Sequence, residues 1–427
     1  MAEMSPLPDD RARAEGRAPL ALLIFLSLMT SVVALTIDAV MPALDGIAED
    51  LAFDDANDRQ LIILVVFAGM GVSQIAFGPL ADGIGRKPAA MIGWAIFIAG
   101  TLLGMAATGP EAMLWGRFLQ GLGAGGPRIV AMAIVRDLYG GRAMARVLSV
   151  VLTIFMLVPM LAPLVGQAAE AVGGWRAIFV VYLVTALGTA GWYWLGVPET
   201  LTEANRRPLA PGRLVAAFRE VLTTRPTVFY TLAMSMVFAA FSVYLATAQQ
   251  VLEDLYALGP WFPAVFSLLA LAFALASFMN SRLVMRVGMR PLSRRAMAGL
   301  IVVAAGATVL TRLAPWGGVP PLWLFMVLVS LIFFAVALLF SNLSALALEP
   351  LGHVAGTASS VVMSVSTLVS VPIGTAVARA YDGSTAPLFT GFLVLGLAGM
   401  GFLLLADRAR GGEEREAAAP AGAGRAS

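Results

Sequence analysis

Cysteine is absent from this chain of 427 residues, histidine occurs once, and only 13% of the residues are charged. Without cysteine there is no disulfide, no thiolate metal site and no cysteine nucleophile in any redox compartment, so a thiol reagent should leave the protein untouched. The single histidine, His353, stands near Glu349 in a short polar turn with no second histidine to share a metal, and reads as a surface group. No metal cluster, nucleotide-binding glycine loop or nucleophile constellation occurs in the sequence, which leaves ATP-driven pumping and membrane-enzyme chemistry without residues to carry them. No cofactor and no metal are expected, and any uphill work must draw on a gradient.

What the chain has in place of charge is apolar surface. Hydrophobic residues make up 59% of it and its mean hydropathy is +0.86, too apolar for a soluble protein and suited to a polytopic membrane protein. The runs are long and continuous, whereas a membrane barrel would show short alternating strands. Candidate spans fall near 19–41, 60–77, 89–107, 113–135, 147–169 and 177–197, then near 227–248, 261–279, 296–313, 321–340, 355–378 and 388–406. Arg11, Arg13 and Arg17 precede the first run as they would in a signal peptide, but its length and the spans that follow make it the first transmembrane helix. The expected fold is an all-α membrane protein with twelve transmembrane helices in two six-helix bundles. The division is a disordered N-terminus 1–17, a bundle 18–197, a linker 198–226 with a short interfacial helix near 213–221, a second bundle 227–407 and a disordered tail 408–427.

Loop charges set the orientation. Alternating from a cytoplasmic N-terminus puts Arg86, Lys87, Arg136, Arg142, Arg146, Arg206, Arg207, Arg213, Arg219, Arg225, Arg282, Arg286, Arg290, Arg294 and Arg295 inside, and leaves Arg59, Arg176, Arg312 and Arg379 outside. The outer loops are acidic, with Asp45, Glu49, Asp50, Asp54, Asp55 and Asp58 before the second span. That acidity serves solubility and topology, or a field drawing cations to the mouth. The chain is thus expected to be a multi-pass protein of the cell's inner membrane, with both termini cytoplasmic, acting as a monomer. Its expected partners are the lipid bilayer, protons and a small-molecule substrate. Basic residues scattered over short loops exclude nucleic acid.

One short segment joins the second and third spans, GPLADGIGRKP at 78–88. Gly78 and Gly85 permit close helix approach and tight turning, while Asp82 and Arg86 are charges at a helix end with partners near. Leu80, Gly85, Lys87 and Pro88 recur as Leu283, Gly288, Arg290 and Pro291 after the second span of the other half, where Met285 replaces Asp82. A parallel repeat of this kind suits a two-fold transporter.

Within the spans, ionisable residues are functional candidates by default, because a charge at membrane depth costs roughly 2.5–3.5 kcal/mol in insertion terms. Asp38 lies in the outer third of the first span, where a desolvated carboxyl can exchange a proton near neutral pH; a helix cap beside Pro42 is the alternative. Arg117 in the fourth span is at similar depth and is a natural partner across the bundle, unless it snorkels to the outer surface. Arg128 follows it by eleven residues, about 20° off three full turns and so on the same face, as a substrate or gating contact. Gln60, Gln74, Gln120 and Tyr244 are candidates for the cavity or for structural hydrogen bonds.

These segments resemble the major facilitator superfamily. GPLADGIGRKP looks like its loop motif between helices two and three, and the likeness runs from Leu35 to about Ala406. TIDAVMPALDGIA, GRFLQGLGAGG, VRDLYGG, APLVGQ, GWRAIF, VPETL and ALALEPLGHVAGTASS resemble the bicyclomycin-resistance (Bcr/CflA) drug-efflux branch. The resemblance implies proton and substrate coupling at Asp38 and Arg117, and a cytoplasmic relay of Asp82, Arg86 and Asp137 that holds the outward-facing state closed inside. Pro159, Pro163 and Gly166 are similar to the antiporter motif, with Ala162 where many members carry Gly, and serve bending and close packing. The function implied is proton-coupled efflux of small amphipathic compounds, antibiotics included, by alternating access. Export of a metabolite such as a sugar or amino acid by the same mechanism is the alternative, and a non-transporting membrane sensor is the alternative of another class.

Overall fold

The computed structural model describes residues 18–203, 206 and 211–418, and they form helices joined by short turns, with no strand among them. The expectations for 1–17, for Arg207 and for the side chain of His353 lie outside the described residues. The spans of the first half are Leu20–Asp38, Leu61–Ile84, Arg86–Met105, Pro110–Leu138 and a 56-residue helix, Gly141–Gly196. Inside that last helix Gly173 and Gly174 leave helical geometry, with Gly174 at φ 66°, a value that suits a residue without a Cβ. Its two arms are the fifth and sixth spans. Among the described residues eleven helices are long and apolar enough to cross a membrane, and this break makes twelve crossings of them.

An amphipathic helix, Pro211–Thr223, occupies the linker where a short interfacial helix is expected. The second half follows with Arg225–Gln249, Phe262–Val287, Met289–Leu313, Leu322–Leu348, Ala355–Ala378 and Ala386–Ala418, the seventh to twelfth spans. The last helix overruns the expected boundary, so the described part of the 408–427 tail is helical and not irregular backbone. Glu413, Glu414, Arg415, Glu416 and Ala417 are good helix formers, and they extend a helix that the span has already nucleated.

Packing within the first half relies on backbone contact. A Cβ on Gly121 of the fourth span would sit 2.0 Å from the Val66 carbonyl oxygen of the second, so the two helices meet with no side chain between them. The halves face one another through the second and eleventh spans, the second and seventh, and the fifth and eighth. At the first of these seams the Ser364 hydroxyl donates to the Gly71 carbonyl at 2.5 Å; at the last, Ser267 donates to the Met160 carbonyl at 2.8 Å.

The echo between halves is a backbone feature. Gly85 and Gly288 both stand between two helices at positive φ, 107° and 84°, the conformation in which a Cβ is strained. Two glycines at equivalent turns explain why the repeat survives in the loops while the acid is lost from the second copy.

Candidate functional site

The site is built around the C-terminal end of the first span. Asp38 is its last helical residue and is 4% exposed, and among the described residues no hydrogen bond or ion pair reaches its carboxylate. Arg117 is fully buried beside it. The ion pair expected between them is not formed. The guanidinium donates to the Thr36 carbonyl at 2.7 Å, to the Ile62 carbonyl at 2.9 Å and to Gln120 Oε1 at 2.8 Å. The reason lies in the helix end. The last-turn carbonyls of Leu20–Asp38 lack helical partners and carry the negative pole of the helix, and Thr36 offers one of them to the arginine. The Tyr182 hydroxyl donates to the same carbonyl at 3.2 Å.

Gln120 therefore braces Arg117, passing its own amide to the Thr101 hydroxyl at 3.0 Å, and does not line an open cavity. Arg117 thus fixes the first, second and fourth spans to one another while Asp38 is left without a bonded partner. Tyr182 and Tyr244 both lie within electrostatic reach of Asp38, and the buried Tyr244 hydroxyl has no hydrogen-bond partner among the described residues. Tyr244 is on the seventh span, so the pocket around Asp38 is shared between halves. Gly166 comes close as well: a Cβ there would lie 1.9 Å from the Ala39 carbonyl oxygen, which ties the fifth span to the residue after Asp38. Pro159 and Pro163 lie inside the long helix, on the arm that packs against the eighth span.

Deeper in the bundle, Gln74 is half-buried with an Oε1 that lacks a partner. Arg128 is half-buried too, its guanidinium 5.8 Å from the centre of the Phe155 ring. Gln60 is elsewhere. It sits at the end of the second span and meets Gln250 of the other half, so it belongs to a closure and not to the cavity.

That closure occupies the face that carries the acidic loops. Arg59 pairs with Asp45 of its own half and with Asp254 of the other at 2.6 Å, and Gln249 reaches across to Asp45. Arg379 pairs with Asp58 at 2.6 Å, and the Asn57 amide donates to the Tyr381 carbonyl at 3.0 Å. On the basic-loop face Arg86 is bonded within the first half. Arg86 Nε donates to Asp137 at 2.7 Å and Arg86 Nη1 to Asp82 at 2.5 Å. Glu199 accepts from the backbone N–H groups of Arg86 and Lys87, both at 3.0 Å, capping the third span. Gly78 faces the eleventh span, where a Cβ would sit tightly, 3.3 Å from the Ser360 hydroxyl.

Sequence reading missed several of these groups. Tyr182 gave no signal beyond one hydroxyl in an apolar run, and Arg59, Asp45 and Asp254 read as loop charges because the sequence does not show which loops meet. Glu199 was visible only as part of VPETL.

Two helical bundles enclosing a buried acid, with ion pairs from half to half across the acidic-loop mouth, have the arrangement of a membrane carrier. The family model of the Major Facilitator Superfamily matches residues 26–375, and the chain belongs to that superfamily. It is 28% identical over 362 residues to a bicyclomycin resistance protein homolog of Haemophilus influenzae, covering 83% of this chain and 88% of that protein. It is 25% identical over 343 residues to multidrug resistance protein D of Escherichia coli, covering 80% and 84%. Among solved structures it is similar in fold to a D-xylose-proton symporter, with a TM-score of 0.68 at 12% identity, covering 90% of this chain and 96% of the other.

Proposed function

We propose that this chain is a proton-coupled exporter of small amphipathic compounds, antibiotics among them, working by alternating access in the inner membrane with both termini cytoplasmic. The observation that carries the reading is Asp38: a buried carboxyl with no bonded partner among the described residues, at the end of a span whose Thr36 carbonyl already engages Arg117. A carboxyl of this kind is free to exchange its proton for a substrate group. The named relatives, one for bicyclomycin resistance and one for multidrug resistance, support efflux as the direction and drugs as the cargo.

In this reading the acidic-loop face is external, and the structure corresponds to a carrier closed outside. Substrate enters from the cytoplasm, Asp38 releases or takes its proton as the cavity fills, and Arg117 holds the three surrounding helices at fixed distance. The latches of Arg59 and Arg379 then part while the relay of Asp82, Arg86 and Asp137 docks the inner ends. The test is export by Asp38→Asn in a pump-deficient host against a panel of antibiotics, with substrate-induced proton release from reconstituted vesicles. Uphill export should vanish while binding survives; full active export by the variant would remove Asp38 from coupling, and no proton movement in the parent would remove efflux itself.

A further inference from the structure

A second cation lies deeper in the same bundle, and its surroundings suit cargo better than structure. Arg128 is ten residues from the end of Pro110–Leu138, about 15 Å at helical rise, beyond the reach of snorkelling. By helical geometry it is about 20° from the buried Arg117 and about 140° from Trp115, which is 63% exposed on the lipid side. Its side chain is therefore on the inner face of the helix. Unlike Arg117, whose guanidinium is bound by two carbonyls and an amide, Arg128 makes no hydrogen bond or ion pair among the described residues. Its guanidinium lies 5.8 Å from the centre of the ring of half-buried Phe155 on the fifth span. The cross-half ion pairs close the opposite mouth, so Arg128 stands in the half of the bundle that those latches leave unbolted.

A guanidinium at membrane depth without an acid partner is costly, and an oxyanion is the group that best offsets it, through a planar two-pronged contact. The adjacent ring adds a flat apolar surface. We infer that Arg128 and Phe155 form a subsite for an aromatic compound bearing a carboxylate or sulfonate, the ring lying on Phe155 and the oxyanion on the Arg128 fork. This rests on the efflux reading for its transport meaning, though the binding site can be tested without it.

Dansyl sulfonate and the neutral dansylamide are a matched fluorescent pair. Titrated into purified protein in nanodiscs, with energy transfer from tryptophan as the signal, the sulfonate should bind about ten-fold or more tightly than the amide, the range a charge-assisted hydrogen bond gives. Arg128→Gln should erase that ratio and Arg128→Lys should keep part of it. Phe155→Glu, which supplies an internal acid, should also erase it and serves if the glutamine variant does not fold. An arginine with a purely structural role would weaken both ligands alike, so a ratio that survives Arg128→Gln overturns the subsite, as does a parent protein that binds neither ligand or does not discriminate between them. Sulfonate binding through Arg128 in a protein that exports nothing would leave the subsite standing and remove the efflux reading.

Discussion

The two mouths of this carrier are both rich in charge, yet they use it in opposite ways. On the acidic-loop face, beside the Arg59–Asp45 pair of the first half, pairs run between halves, Arg59 to Asp254 and Arg379 to Asp58, and one member of each is open to water, Arg379 at 53% and Asp254 at 36%. On the basic-loop face the best-defined pairs lie inside a half. Arg86 is 3% exposed between Asp82 and Asp137, and Arg294 joins Asp407, which also accepts from Tyr230. Exposed pairs are weak, roughly 0.2–1 kcal/mol each, so a few of them can hold a mouth shut and still part. A buried multi-bonded cation is hard to disturb. Each cross-half pair has a wet member, whereas Arg86, bonded inside one bundle, is dry.

The sharpest way to break this comparison is to remove a dry partner. Asp137→Ala leaves Arg86 buried with only Asp82 and should cost about 3–5 kcal/mol, visible as a large fall in thermal unfolding temperature; an unchanged melt would show that Arg86 is not a fixed bolt. Next in size are the echoed turns. Gly85→Ala combines a positive φ with a Cβ 2.6 Å from Glu199, whereas the nearest atom at Gly288 is 3.7 Å away. Both substitutions should destabilise by about 1–2 kcal/mol from backbone strain, with Gly85→Ala the worse, and equal melts would remove Glu199 from the account.

Smaller effects are expected at the wet mouth. Because the chain lacks cysteine, spin labels at Asp54→Cys and Asp382→Cys would report the distance across that mouth on an unlabelled background. Arg59→Ala, which loses pairs to Asp45 and Asp254, should raise the open population several-fold, as a change of about 1 kcal/mol does. Arg379→Ala should do the same more weakly, and 1 M salt should mimic it in the parent. A mouth that stays closed in both variants would shift the closure to Gln60, Gln249 and Gln250.

Much of this was open to sequence reading because lipid is a strict solvent. A span must be long, apolar and helical, so its place shows in composition, and Gly85, Gly288 and the linker helix followed from local chemistry. The pairing of Arg86 with Asp82 and Asp137 was also legible, since a family motif carries those charges. The pairing of Asp38 with Arg117 was not. Shared depth and opposite charge suggested it, but a guanidinium with three acceptors already in place has no need of the acid, and only the packing of Thr36, Ile62 and Gln120 shows that they are there.

By itself the amino-acid sequence determined the solvent, the number of crossings and which loops carry which charge, since each is fixed by residues near one another along the chain. The tertiary structure decided which charges meet. Arg59 finds Asp254 across 195 residues and Asp58 finds Arg379 across 321, while Asp38 finds none, because partners are chosen by how two bundles fit together and no local pattern records that fit.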